Sequence, residues 1–215
     1  MFRDTTSNDF FTILIVVSLV LIALAKLTSP KRFNDFIAVL GNSKYLKIYA
    51  REQKFFDKFD ALLFSNLILS LSLFSFIIYK FFTDSNVISI DTMFKLSFGI
   101  CVFILIKVFI ERLIGSLFEI DEIIDQYLFQ KISYKNYLGL LLIPVNAFLL
   151  YNFKPTLTFF YVIIILLLIV VLIGLITSVK AHQSLIKHNF FYFILYLCTL
   201  EIAPCIILYK VFVSK

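Results

Sequence analysis

Glu201 sits inside the apolar stretch YLCTLEIAPC, residues 196–205. A carboxylate in such a setting either stays protonated or is held ionised by a nearby cation, because loss of water penalises the charged form. A proton or ion relay and a structural ion pair are therefore the two chemistries open to it. The cation candidate is Lys107, which with Glu111 and Arg112 interrupts another apolar run at 94–118. Lys107 and Glu111 are four residues apart and can pair along one helix face. Arg112 is turned by about 100° from Glu111 and suits a position reaching toward headgroups. Asn146 offers a further hydrogen-bonding amide. Pro204 leaves the carbonyl of Leu200 without its helical donor and predicts a kink beside Glu201, as Pro144 does in the stretch 137–151.

Other chemistries find less support. Cys198, Glu201 and Cys205 share a helix face, but three ligands on one helix without a paired motif do not make a metal site. With Thr199 and Ala203 they suit close helix packing instead. His182 and His188 read as interfacial loop residues. There is no H-E-x-x-H, no G-x-S-x-G and no Gly-rich phosphate loop, so neither a metal nor a cofactor is expected and an enzyme is not the expectation.

The elements that must position these residues are membrane helices. Of 215 residues 61% are hydrophobic and 16% charged, far more apolar than a soluble core can absorb. The expected fold is all-α: one polytopic transmembrane bundle over residues 1–215, with about six membrane-spanning helices at 10–25, 61–82, 94–118, 137–151, 157–179 and 190–213, joined by amphipathic cytoplasmic connections. The fourth is short and contains Pro144, and is expected to be tilted, kinked or incomplete. The first resembles a signal peptide, but its net acidic leader and the lysine-rich segment after it favour a retained span.

Orientation follows from the cations. The connection from Lys26 to Lys58 carries eight of them and is expected in the cytoplasm, which puts thirteen of the twenty cations inside and both termini in the periplasm. That connection mixes aromatic and basic residues. It reads as a folded cytoplasmic loop in preference to helices on the anionic inner leaflet, with a break at Gly41–Asn42. The acidic stretch EIDEIIDQYLFQ, residues 119–130, reads as a solvated amphipathic extension of the third helix. A net charge of +6 is explained by orientation, and no basic-aromatic module points to nucleic acid.

The stretches SNDFFTILIVVSLVLIALAK, PKRFNDFIAVLGNSKY, YKNYLGLLLIPVN and FYFILYLCTLEIAPCIILYK resemble a family of uncharacterised integral membrane proteins from Bacteroidota, known as a domain of unknown function. The resemblance covers nearly the whole chain and implies a bacterial inner-membrane protein. It implies no activity. Two expectations remain: an accessory or assembly component, built around a buried cluster of Lys107, Glu111 and Glu201, with a membrane-protein partner or a second copy beside it; or a small proton- or ion-coupled carrier using Glu201. The lipid bilayer, with its anionic inner-leaflet lipids, is the expected surrounding in both.

Overall fold

The computed structural model describes residues 9–41, 44–50, 57–83, 90–117, 121–151 and 156–181. Among them the chain is helical: α1 Asp9–Thr28, α2 Pro30–Ile37, a 3-10 turn Ala38–Leu40, α3 Lys44–Tyr49, α4 Lys58–Thr83, α5 Ile90–Leu117, α6 Asp121–Tyr151 and α7 Leu157–Ala181. Four helices are long and apolar enough to cross a membrane: α1, α4, residues 91–117 of α5 and residues 157–174 of α7. Their outward faces carry large apolar side chains, such as Phe94, Phe98 and Phe109 of α5. In water such surfaces would aggregate, whereas against lipid tails they cost nothing. The protein is thus a helical membrane protein. A count of six spans goes beyond these four helices, since the sixth expected span, 190–213, lies outside the described residues.

Two expectations need correction. The fourth expected span is not a short element, because residues 137–151 are the second half of the 31-residue helix α6, which stays helical through Pro144. The acidic stretch is not an extension of the third helix either. α5 ends at Leu117, and from Asp121 the chain belongs to α6, which packs back along α5. Small size at Gly115 permits this return: a Cβ there would lie 3.0 Å from that of Ile124.

Contacts between the helices set their directions. Phe11 of α1 packs on Phe76 of α4 with ring centroids 5.3 Å apart, while Ala25 reaches the cluster around Phe59 and Leu63, so these helices run antiparallel. α4 and α6 run parallel, since Gly139 meets Leu67 and Asn146 meets Ser70. At Gly139 the two backbones nearly touch: a Cβ there would come within 2.6 Å of the Leu67 Cα. α7 returns antiparallel to α6, with Phe159 near Phe148 at one end and Gly174 against the Tyr134 ring at the other. The parallel pair α4/α6 therefore forms the centre, with α1, α5 and α7 around it running the opposite way.

One end of this bundle is closed by α2 and α3. Pro30 cannot continue α1, for it lacks the N–H that would bond back along the helix, and the chain restarts as α2 with proline in the first turn. The break after the 3-10 turn falls at Gly41, as the sequence suggests. Phe33, Phe36, Val39, Tyr45 and Leu46 are buried in one cluster with Phe59, Leu63, Phe129 and Tyr134. This connection is a small folded cap under the bundle.

Candidate functional site

Polar side chains are buried in two places. The first is the capped end, where they are charged. Arg32 of α2 grips two carboxylates: Nη1 donates to Asp57 and Nη2 to Asp60, the latter at 2.7 Å. Its guanidinium also lies over the Phe59 ring, 4.8 Å from the centroid, and over Tyr49 at 5.2 Å. Only arginine combines a planar fork with stacking in this way. Burial pulls the Arg32 pKa down, but Asp60, Tyr45 and Asp57 outweigh it and the net shift is upward. The neighbouring Tyr45 hydroxyl is pushed up too, by burial first and by the Asp60 charge second.

On the other side of the same end, Glu111 of α5 is fully buried and its Oε1 accepts from Lys131 Nζ of α6 at 2.5 Å. The Lys131 side chain is itself only 8% exposed. The next residue of α5, Arg112, faces Asp125 of α6 at 3.7 Å, with both side chains half-exposed. Such a buried pair holds the two helices in register, since sliding either would strand a charge in a poor solvent.

The second place is the seam between α4 and α6, and its polar groups are neutral. Phe59, Leu63, Asn66 and Ser70 recur along one stripe of α4, at spacings of four, three and four. Phe129, Ser133 and Asn136 form the matching stripe of α6. Asn66, Ser70, Asn136 and Asn146 are all 1% exposed or less. Asn146 Nδ2 donates to the Ser70 carbonyl at 2.9 Å. Both amide atoms of Asn66, both of Asn136, Ser70 Oγ and Asn146 Oδ1 find no hydrogen-bond partner among the described residues. In a membrane bundle each such atom costs several kcal/mol by the usual order of magnitude, so their concentration in one seam demands a reason.

The residues singled out from the sequence are thus dispersed. Glu111 and Arg112 join α5 to α6, Asn146 joins α6 to α4, and Pro144 lies exposed on α6. Lys107 is half-buried, one turn from Glu111 toward the middle of α5. Glu201 and Pro204, with the cysteines beside them, lie outside the described residues. Among the described residues no three metal-ligating side chains converge. Sequence reasoning missed Lys131 as the partner of Glu111, and it missed the amides of Asn66 and Asn136. Asn66 had a signal, being the one amide in the run ALLFSNLILSLSLF. Asn136 had none, because it was placed in a connection one residue before the expected span.

Neither the curated proteins nor the solved structures contain a significant match to the chain. A family model described as a domain of unknown function (DUF4271) matches residues 11–212, which takes in every helix of the bundle. By that match the chain belongs to the DUF4271 family of unknown function.

Proposed function

We propose that the protein is a small carrier that passes a proton or a small cation across the bacterial inner membrane. The observation that supports this reading is the α4/α6 seam, where four neutral polar side chains are buried in the centre of an apolar bundle and most of their polar atoms lack partners among the described residues. Polar side chains between membrane helices serve either as interhelical hydrogen-bond partners or as the lining of a pathway, and of these polar atoms only Asn146 Nδ2 makes such a bond among the described residues. α6 then crosses the membrane with α4, its polar side chains screened by the surrounding apolar helices. The excess of cations on the connection holding α2 and α3 puts the capped end in the cytoplasm. Glu201, beyond the described residues, is the titrating group of this reading.

An accessory role in a larger membrane complex is the second reading. It is favoured by α5, whose large phenylalanines point away from the bundle and offer a partner helix a broad aromatic face. Flux decides between the two. Purified protein in liposomes should collapse an imposed proton gradient faster than protein-free liposomes, and Glu201→Gln should remove that excess while leaving the protein folded. No excess flux in the natural protein returns the accessory reading to first place; undiminished flux in the variant takes Glu201 out of the mechanism.

A further inference from the structure

The contacts between helices fix which residues share a level. Phe11 on Phe76, with Ala25 beside Phe59 and Leu63, puts Lys26, where the apolar run of α1 ends, level with about residue 61 of α4. Gly139 against Leu67 carries that level to about residue 133 of α6. Gly115 against Ile124, and Glu111 bonded to Lys131, carry it on to about residue 106 of α5. About twenty residues up α4 from this level lies Phe81, beside Lys80, and that length of helix, about 30 Å, matches a hydrocarbon layer. The level of Lys26 and Lys107 is therefore the membrane boundary on the capped side. Beyond it α5 runs on for about 15 Å, from Lys107 to Leu117.

On this projection Phe109, Leu113 and Leu117 stand four residues apart, and the described residues leave all three exposed at a level that lipid tails do not reach. They continue a stripe that starts inside the membrane. Gly99, Val102, Ile106, Phe109 and Leu113 follow one another at alternating spacings of three and four, the pattern of a seam between two helices. The stripe lies opposite Ile104, Glu111 and Gly115, which α5 buries in its own bundle. A Cβ at Gly99 would meet nothing within 4 Å among the described residues, so packing inside the bundle does not call for a glycine there. Small residues on the outside of a membrane helix let a second helix approach closely. At the far end the stripe stops at Lys95, whose ammonium is bound to Asp91 at 2.6 Å.

Whatever covers this stripe must be apolar on both sides of the boundary and keep one heading across it. A lipid chain stops at the boundary. A second α5 meets both needs: every copy is threaded the same way, and in a two-fold pair each seam residue faces its own counterpart. We propose that the protein pairs with a second copy through α5, the two α5 helices lying side by side and parallel from Gly99 to Leu117. This goes beyond the carrier reading and does not rest on it, so the failure of either leaves the other standing.

The test is oxidative cross-linking of the full chain in the membranes of the cells that make it. Cys101, Cys198 and Cys205 are replaced by alanine, and single cysteines are introduced by Phe109→Cys, by Leu113→Cys or, as control, by Ile176→Cys, an exposed position of α7 at a similar level. Phe109→Cys and Leu113→Cys should each give several-fold more disulfide-linked pairs of this chain than Ile176→Cys. Adding Gly99→Leu should cut that yield several-fold and, because the space at Gly99 is open, leave the helix content unchanged by circular dichroism. Yields at Phe109→Cys and Leu113→Cys no higher than the control overturn the pairing. A high yield that Gly99→Leu does not lower overturns the close approach at Gly99, and with it the seam from Gly99 to Leu117. Phe109→Cys in the chain that keeps its natural cysteines tests the other occupants. A disulfide within one chain to Cys198 or Cys205 gives the face to residues 190–213, a disulfide to a different protein gives it to a foreign partner, and either overturns the proposal.

Discussion

At the capped end of the bundle, buried charges are paired with opposite charges; along the α4/α6 seam the buried polar side chains are neutral, and most of their polar atoms lack partners among the described residues. Arg32 has Asp57 and Asp60, Glu111 has Lys131, and Arg112 faces Asp125. Asn66 and Asn136, one or two helical turns away, have no such partners among the described residues. A bare buried charge is too costly to leave unpaired, so a bundle that keeps charges must close them into pairs, and the pairs then serve the architecture. A neutral amide costs less than a charge to leave unpaired. Charged residues draw the eye first in a membrane sequence, yet among the described residues the buried charges are the clasps, and the quieter amides are the better candidates for lining a pathway.

Lys131→Met should have the largest effect on stability, because it strands the Glu111 carboxylate. The expected loss is about 3–5 kcal/mol. The double variant Glu111→Leu with Lys131→Met should regain most of it, and denaturation of the purified protein in mixed micelles measures both. A single variant as stable as the natural protein would mean that the pair is not a clasp. Next comes Arg32→Lys, which keeps the charge and loses the fork and the stacking over Phe59. Asp57 is half-exposed, so the expected cost is only about 1–2 kcal/mol.

Tyr45 gives a smaller, pH-dependent effect. Its pKa is raised in the folded state, so the unfolded chain releases this proton first as pH rises. The contribution of Tyr45 to stability is therefore full below about pH 10 and declines above it, by about 1.4 kcal/mol per pH unit at most until the folded group itself ionises. Tyr45→Phe should remove that part of the alkaline loss, as read from melting temperatures at pH 9 and pH 11. An identical alkaline slope in the variant would mean that Tyr45 is not buried as described.

The smallest loss of stability belongs to Asn66→Leu with Asn136→Leu. Apolar replacement of unpartnered polar groups should lose no stability, giving either no change or a gain. A clear loss would show that the amides are bonded structurally, and the contrast between the two regions would fail.

The apolar helices were legible because each is an unbroken run near the length of a membrane crossing: the bounds 10–25, 61–82, 94–118 and 157–179 fall within four residues of those of α1, α4, α5 and α7. α6 was half legible. Gln130, Lys131, Ser133 and Asn136 read as loop chemistry by hydropathy, and only neighbouring helices make their burial tolerable. The buried carboxylate of Glu111 could be picked out by its setting in the run, but its partner could not. Sequence spacing exposes pairs on the same helix, whereas Lys131 comes from the next one, and the return of α6 along α5 depends on the small surface at Gly115. The seam was hidden for a like reason, since register between α4 and α6 is a property of two surfaces.

The most direct measurement is proton flux through liposomes containing the Asn66→Leu, Asn136→Leu double variant, made beside the natural protein and alongside the melting temperature of each. The account predicts that the variant melts no lower than the natural protein and conducts no more than protein-free liposomes. A variant that folds normally and conducts as the natural protein does would contradict it, and would take the α4/α6 seam out of the conducting path.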